Sequence, residues 1–511
     1  MLPPVPDRAL LELGRTEGGP DTLALLVRDQ DTRRLLMLRA VLDAVEGADP
    51  AVCSAGVRRR VREDWGLLEE ADRAGDTAGA GTSLSPVRDR LLSPLLGPWA
   101  QRCLRGLDAA PEARTDRYVR EQAREHAREQ AREQAREPAH EPAHERARDL
   151  ARDLAHLSAL AAVAAARAGI PFAVRLTARD GVLTLPSLGA LHTTDPGDTE
   201  VEARFGHGRL TLRQPGAMDT TVHLESGFGA WSSAPAWSPA YALPGLLPGS
   251  APVPLDDLDP YRTAPVGPHD HGLSGPATLD DTERKRWLQA WSGTAAALRA
   301  GGDYRVTEAT ALLRCLVPLA APPGADGHGS GSCSGTRREA FGALLSSTPP
   351  TAATFAATLV HELQHTKLSA LSHMLTLHHA GPQRRYFAPW RPDPRPYDGL
   401  LQGAYSHLAL ADFFQRCALV VEHRAHREFA WARHARYREQ VGAVLPTLVG
   451  SPELTPWGRQ FVDQMVAVYE RMAEYPAPRG HDARARAYVR AARALWTQRN
   501  ASAIPPLKEA E

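Results

Sequence analysis

The residues best suited to chemistry are His361, Glu362 and His365, in the run Val360-His361-Glu362-Leu363-Gln364-His365. A helix turns about 100° per residue, so imidazoles four apart sit about 40° apart, one turn above the other. Such a pair can grip one metal ion, with the intervening glutamate leaning to the side of the same site. Chance yields this pattern in roughly one chain in twenty of this length and composition, so context decides. Here the context is apolar and helix-forming, with no Pro or Gly between Thr351 and Ala380. The rival reading is a histidine pair satisfied within the core.

A catalytic metal needs a third protein ligand and open positions. The extended pattern that supplies one within the same helix is absent, because Leu368 and Leu371 stand where its Gly and last His would be. No glutamate occurs between His365 and Glu422, which leaves His373, His378, His379, His407, Asp412 and Glu422. His373 falls about 80° round the helix from His365 and is poorly placed. His378 and His379 are expected to close the helix, where imidazolium complements the dipole. His407 lies on a second expected helix, Gly399 to Arg416, whose Gly403, Ala404 and Ala411 would permit close approach to the first. The metal set is therefore read as His361, His365 and His407, with Glu422 and Asp412 as alternatives for the third place.

Between the two helices runs Tyr386-Phe387-Ala388-Pro389-Trp390-Arg391-Pro392-Asp393-Pro394-Arg395-Pro396, which its four prolines should stiffen into extended backbone. Arg391 and Arg395 are candidates to grip a carboxylate, since guanidinium binds one in a bidentate fork. The alternative is a structural ion pair with Asp393 or Asp398.

At 511 residues the chain exceeds what one core serves, so two or three domains are expected. Hydrophobic residues make up 43% and charged residues 23%, and the net charge is zero, which argues against capture of nucleic acid or anionic membrane. Only Lys285, Lys367 and Lys508 are lysines, so the abundance of arginine reflects coding bias rather than function. Five scattered cysteines without a C-x-x-C pair fit a reducing cytoplasm. No signal peptide is evident, and the longest apolar stretch, Leu157 to Ala166, is too short to span a bilayer. A cytoplasmic protein without a membrane partner is expected.

Four regions are expected. Residues 1–116 read as helical, with Asp31 as an N-cap before the stripe through Leu42 and a Gly/Ala/Thr loop from Ala74 to Ser85. Residues 117–156 hold an A-R-E-Q repeat whose four-residue period drifts round a helix, so it never presents one buried face. It is read as a dispensable spacer helix broken by Pro138 and Pro142. Residues 157–276 contain a helix ending at Gly169, then period-two segments: Val174–Thr177 with Val182–Leu185 about Asp180-Gly181, and Val201–Phe205 with Arg209–Arg213 about Gly206-His207-Gly208. A Pro/Gly-rich connector follows, with the acidic run Asp256 to Arg262 read as a capping or docking loop. Residues 277–511 form the helical HExxH region, with Trp287 and Trp291 in its core, a loop from Ala321 to Gly335, and an edge strand or connector from Ser334 to Leu345. The fold class is α+β and predominantly helical: a zincin-like metal-binding helix pair with a small antiparallel sheet.

The segments Thr358–Leu368, Tyr386–Pro396 and Gly399–Ala409 resemble the HExxH-motif domain family found with ribosomal-peptide biosynthesis genes. That family is described as 2-oxoglutarate-dependent HExxH-type peptide β-hydroxylases, often partnered with or fused to radical-SAM peptide maturases. Thr336–Leu345, Arg34–Leu42 and Leu255–Tyr261 look similar too; the likeness covers about a third of the chain, concentrated in 336–415, and none of the repeat. The resemblance implies Fe(II) held by His361, His365 and His407, with three positions left for O₂ and the keto and carboxylate oxygens of 2-oxoglutarate. It further implies an arginine of the 391/395 pair as the anchor for 2-oxoglutarate. Glu362 would be a neighbouring or alternative ligand, and the product a hydroxyl on a side-chain β-carbon of a ribosomal precursor peptide. A radical-SAM maturase would be a partner. The bare motif equally admits a Zn(II) metallopeptidase with Glu362 as general base, and a non-catalytic peptide-binding partner of a maturase remains a third reading.

Overall fold

The computed structural model describes residues 5–77, 85–108, 143–264, 273–322 and 333–500. Its N-terminal part is helical, as the sequence leads one to expect: α1 (Asp7–Gly14), α2 (Pro20–Gly47), α3 (Ala55–Thr77), α4 (Pro86–Leu91), α5 (Leu96–Asp108), α6 (Ala143–Leu154) and α7 (His156–Arg167). Pro20 opens α2 in the first turn, where a missing N–H leaves no helical bond unmade. The helix then runs unbroken past Asp31, which is therefore not an N-cap. Its carboxylate instead takes both arms of Arg314 at 2.6 and 2.8 Å, together with Arg34 at 2.9 Å. Gly169, at φ 75°, ends α7 in a left-handed turn, with Ile170 N–H returning to the carbonyl of Ala165 at 2.9 Å.

Of the loop expected from Ala74 to Ser85, residues up to Thr77 belong to α3 and residues 78–84 lie outside the described residues. Most of the A-R-E-Q repeat, with Pro138 and Pro142, lies outside them too. Its tail is α6, and α6 is no free spacer. Leu150 and Leu154 are buried, and Asp153 accepts from Arg102 at 2.6 Å, Arg179 at 3.0 Å and the Tyr261 hydroxyl at 3.0 Å.

The strands that follow are β1 (Phe172–Ala178), β2 (Val182–Leu185), β3 (Gly189–His192), β4 (Thr199–Gly206), β5 (Arg209–Arg213), β6 (Thr220–Leu224), β7 (Ala230–Trp231), β8 (Trp237–Pro239), β9 (Tyr241–Leu243) and β10 (Val253–Leu255). They build a five-stranded antiparallel sheet, β1-β4-β5-β6-β7, and a three-stranded one, β2-β3-β8. The β4–β5 hairpin turns through His207, a turn residue at φ 51°. The expected β1–β2 hairpin does not form. β1 pairs along its length with β4, β2 pairs with β3, and only the bridge Arg179↔Val182 survives at Asp180-Gly181. Alternation identifies a half-buried strand but not its partner.

The remaining elements are α8 (Asp281–Ser292), α9 (Thr294–Ala300), α10 (Asp303–Leu312), β11 (Cys315–Leu319), β12 (Ser334–Gly335), a 3₁₀ turn (Arg338–Ala340), β13 (Ala343–Ser347), α11 (Ala352–Met374), α12 (Tyr397–Val420), α13 (Arg424–Gly442), α14 (Leu445–Val449), α15 (Pro456–Arg471) and α16 (Arg479–Asn500). A third sheet, β12-β13-β11-β10-β9, lies among these helices; its middle pairs are parallel and its outer pairs antiparallel. The sequence reading missed it, because β11 and β13 are buried on both faces and show no alternation. The single edge strand expected from Ser334 to Leu345 is broken: only Ser334–Gly335 is at the edge, and β13 is interior. Most of the loop before it, residues 323–332, lies outside the described residues. The acidic run is a docking loop: Asp256 accepts from the N–H of Leu258 and Asp259, and Asp257 accepts from Leu279 N–H at 2.9 Å just ahead of α8.

The largest core surrounds α11 and α12 and gathers Leu10, Leu13, Leu23 and Leu26 from α1 and α2. Trp287 and Trp291 are buried there, packed against Phe355 of α11 with ring centroids at 5.4 and 5.8 Å. Contacts of this kind add about 0.5–1.5 kcal/mol beyond burial. The fold is thus mixed α+β and predominantly helical. Among the described residues, no helix is long and apolar enough to cross a membrane.

Candidate metal centre

Thr351 starts α11 by accepting the Thr354 N–H on its side chain at 3.1 Å, which satisfies one of the donors a helix leaves open at its start. The helix ends at Met374, earlier than expected. His378 and His379 therefore do not cap it; His378 Nε2 instead faces Asp398 at 3.5 Å. His373, expected to be a poor ligand, has its Nδ1 against the side-chain amide of Gln30 at 3.2 Å.

His361 and His365 project from one stripe of α11, with Nε2 atoms 3.1 Å apart and ring centroids 4.7 Å apart. Two nitrogens each about 2.1 Å from one ion would be about 3.0 Å apart at a right angle and about 3.4 Å apart at the tetrahedral angle. The observed spacing lies within that interval. α12 packs directly against α11 and brings up His407, whose ring centroid is 5.4 Å from that of His361. Among the described residues no three His, Cys, Asp or Glu side chains lie close enough together to hold one metal ion, so His407 is a neighbour of the pair and not a third arm already in place.

Two of the three rings meet a hydrogen-bond acceptor at Nδ1. His365 Nδ1 faces Gln402 Oε1 at 3.1 Å and His407 Nδ1 faces the Gly403 carbonyl at 2.7 Å. Each acceptor holds the proton on Nδ1 and leaves Nε2 with its lone pair, the usual second layer around a metal-binding histidine. His361 Nδ1 is buried without a hydrogen-bond partner, so that ring is held by packing and by its Nε2 contact with His365. Burial and the neighbouring imidazoles push His361 well below the ordinary histidine range, and burial lowers His407 to about 4. Both rings are neutral at neutral pH. Imidazole nitrogens of this kind suit Fe(II) or Zn(II), and a bound ion would replace the proton shared between the Nε2 atoms of His361 and His365.

Glu362 is buried beside the pair. The Ser334 hydroxyl donates to its Oε1 at 2.7 Å and the Thr336 hydroxyl bonds it as well; burial raises its pKa even though these groups and His365 oppose that. The edge segment β12 thus orients the carboxyl.

The alternatives for a third ligand fall away by position. Asp412 accepts from Tyr304 and Arg416, both at 2.9 Å, and has Arg471 at 3.6 Å, while Glu422 is exposed beyond the end of α12. The proline-rich linker is not extended: Tyr386 and Arg395 exchange two backbone hydrogen bonds and close it into a loop. Arg391 and Arg395 both donate to Asp393, at 3.1 and 3.2 Å, the structural pairing held open above. Together they keep that carboxyl below its ordinary range despite burial.

Sequence reasoning missed Gln402, Ser334, Thr336 and Trp390. Gln402 meets His365 across the helix pair, and no periodic pattern in the sequence marks such a contact. Compared with protein-family models and with curated proteins, the chain matches none.

Proposed function

We propose that the chain is an Fe(II)- and 2-oxoglutarate-dependent oxygenase that hydroxylates a side-chain β-carbon of a ribosomally made precursor peptide, built on a zincin-like helix pair. The observation that carries this reading is the His361–His365 pair on one stripe of α11, with Nε2 atoms 3.1 Å apart and His407 of α12 beside it, the Nδ1 atoms of His365 and His407 engaged by Gln402 and Gly403. The likeness to the HExxH peptide β-hydroxylases supplies the choice of iron and 2-oxoglutarate. Bound there, the metal and co-substrate would activate oxygen, with succinate and a hydroxylated peptide as products.

His361, His365 and His407 would hold the ion between α11 and α12. Glu362, fixed by Ser334 and Thr336, presents a buried carboxyl beside it. Arg391, the more exposed of the two loop arginines, would exchange Asp393 for a carboxylate of 2-oxoglutarate. The precursor peptide, with a radical-SAM maturase as co-worker, would reach the site along β12, whose Ser334 already donates to Glu362.

Glu362 also keeps a second reading alive: a buried carboxyl with a raised pKa, one residue from a ligand, suits the general base of a zinc peptidase. Anaerobic loading with Fe(II), then addition of O₂, 2-oxoglutarate and precursor peptide, separates the two. Peptide-dependent succinate with a 16-Da mass gain supports the oxygenase. Oxygen-insensitive cleavage with Zn(II) would overturn it.

A further inference from the structure

Trp390, at the tip of the closed loop between α11 and α12, is used by nothing described so far. Its indole lies nearly flat on the His407 imidazole, with centroids 4.4 Å apart and planes 18° apart. Tyr437 of α13 stands near the same imidazole, at 5.3 Å and 51°. The loop can bring the indole this close only because position 403 is glycine. A Cβ there would stand 2.5 Å from Trp390 Cζ2 and 2.7 Å from both Cε2 and Nε1, well inside contact distance. Gly403 and His407 are four apart and share one stripe of α12, so a single indole covers both.

These contacts remove the freedom of the His407 ring one axis at a time. The Gly403 carbonyl fixes Nδ1 at 2.7 Å, and the indole face fixes the plane in which the ring can turn. What remains is one direction for Nε2. A histidine held only by its own i−4 carbonyl could still rock about Cβ–Cγ; one pressed under a flat ring cannot do so without losing that contact. The smallness of residue 403, which at first sight would serve the approach of α12 to α11, is thus taken up by the loop.

We propose that Trp390 is a positioning residue for His407, the third arm of the proposed metal centre, fixing the orientation its ring takes beside His361, and that Gly403 is glycine to admit the indole. This rests on the three-imidazole reading above. The loop then does two things at once: it joins the ligand-bearing helices and it aims the ligand of the second.

The test uses the full-length protein and Co(II) as probe, whose visible spectrum reports ligand number and geometry without any turnover. Trp390→Leu keeps apolar bulk but loses the flat face. We expect it to weaken Co(II) binding at least about tenfold and to move the spectrum toward that of His407→Ala. Trp390→Phe, which restores a face, should stay within about threefold of the native protein, and Gly403→Ala should behave like Trp390→Leu. Melting of the apoproteins, measured alongside, separates loss of the clamp from loss of the fold, because Trp390→Phe and Trp390→Leu remove similar packing. Native Co(II) affinity and spectrum in Trp390→Leu, with His407→Ala altered, would overturn the clamp alone. An unaltered spectrum in His407→Ala would overturn the three-imidazole centre, and the clamp with it.

Discussion

Glu362 is the side chain on which the chemistry divides. It is not one of the three imidazoles, yet Ser334, Thr336 and His365 all bear on its carboxyl. Under the oxygenase reading it shapes the site without being required to hold the ion. Glu362→Gln, which keeps shape and hydrogen bonding, should leave Fe(II) affinity within about threefold while lowering peptide-dependent succinate formation by at least about tenfold. Loss of iron along with activity would make Glu362 a ligand instead. At this scale the sequence was informative where spacing within one helix was enough: His361 and His365 face one another because four residues make about one turn. His407 was reachable by a longer argument from helix approach, although Gly403 turned out to make room for Trp390 rather than for α11. Trp390 itself was illegible, because a stack across a loop leaves no periodic trace.

At the scale of elements, α11 is held from behind by charge. Lys367, wholly buried, donates to Glu308 of α10 at 2.6 Å and to the Thr16 carbonyl at 3.0 Å. Arg305 donates to the other oxygen of Glu308 at 3.0 Å and to the same Thr16 carbonyl at 2.8 Å. The network ties the turn between α1 and α2 to the helix that carries His361. Breaking one partner of a buried pair typically costs about 3–5 kcal/mol, because a charge is left without its mate. Glu308 serves two cations and Lys367 one carboxylate that keeps Arg305, so urea unfolding should show Glu308→Gln more destabilised than Lys367→Met. The reverse order would mean that Lys367 is satisfied mainly by backbone carbonyls. Strand pairing was the part of this scale least visible beforehand. The alternation of β1 and β2 was readable, but β1 found its partner across an intervening hairpin. Likewise Asp31 has the look of a cap and is a mid-helix anchor for Arg314, a contact set by residues nearly three hundred positions away.

For the molecule as a whole, the pH response of stability should carry the mark of the docking loop. Burial, helped by the charge of Asp259, raises Asp256 from 3.8 to about 7, and burial raises Asp259 to about 6. A folded-state pKa above the unfolded one means that the stability contributed is complete below about pH 4 and is lost as pH rises through 6 to 7. His156 acts oppositely: burial lowers it from 6.5 to about 4, so its contribution is lost as pH falls through that window. Comparing the native protein with Asp256→Asn cancels His156. The asparagine variant should gain relative stability between pH 5 and pH 8, read as a difference in unfolding midpoint. A pH-independent difference would show that Asp256 ionises freely in the folded state.

The central claim is that His361, His365 and His407 hold one divalent ion between α11 and α12. Anaerobic titration of the full-length protein with Fe(II), read by bound metal per chain after desalting, tests it most directly. The account predicts one equivalent for the native protein and less than a tenth of that for His361→Ala or His365→Ala at the same free iron. A full equivalent retained by either variant would contradict it.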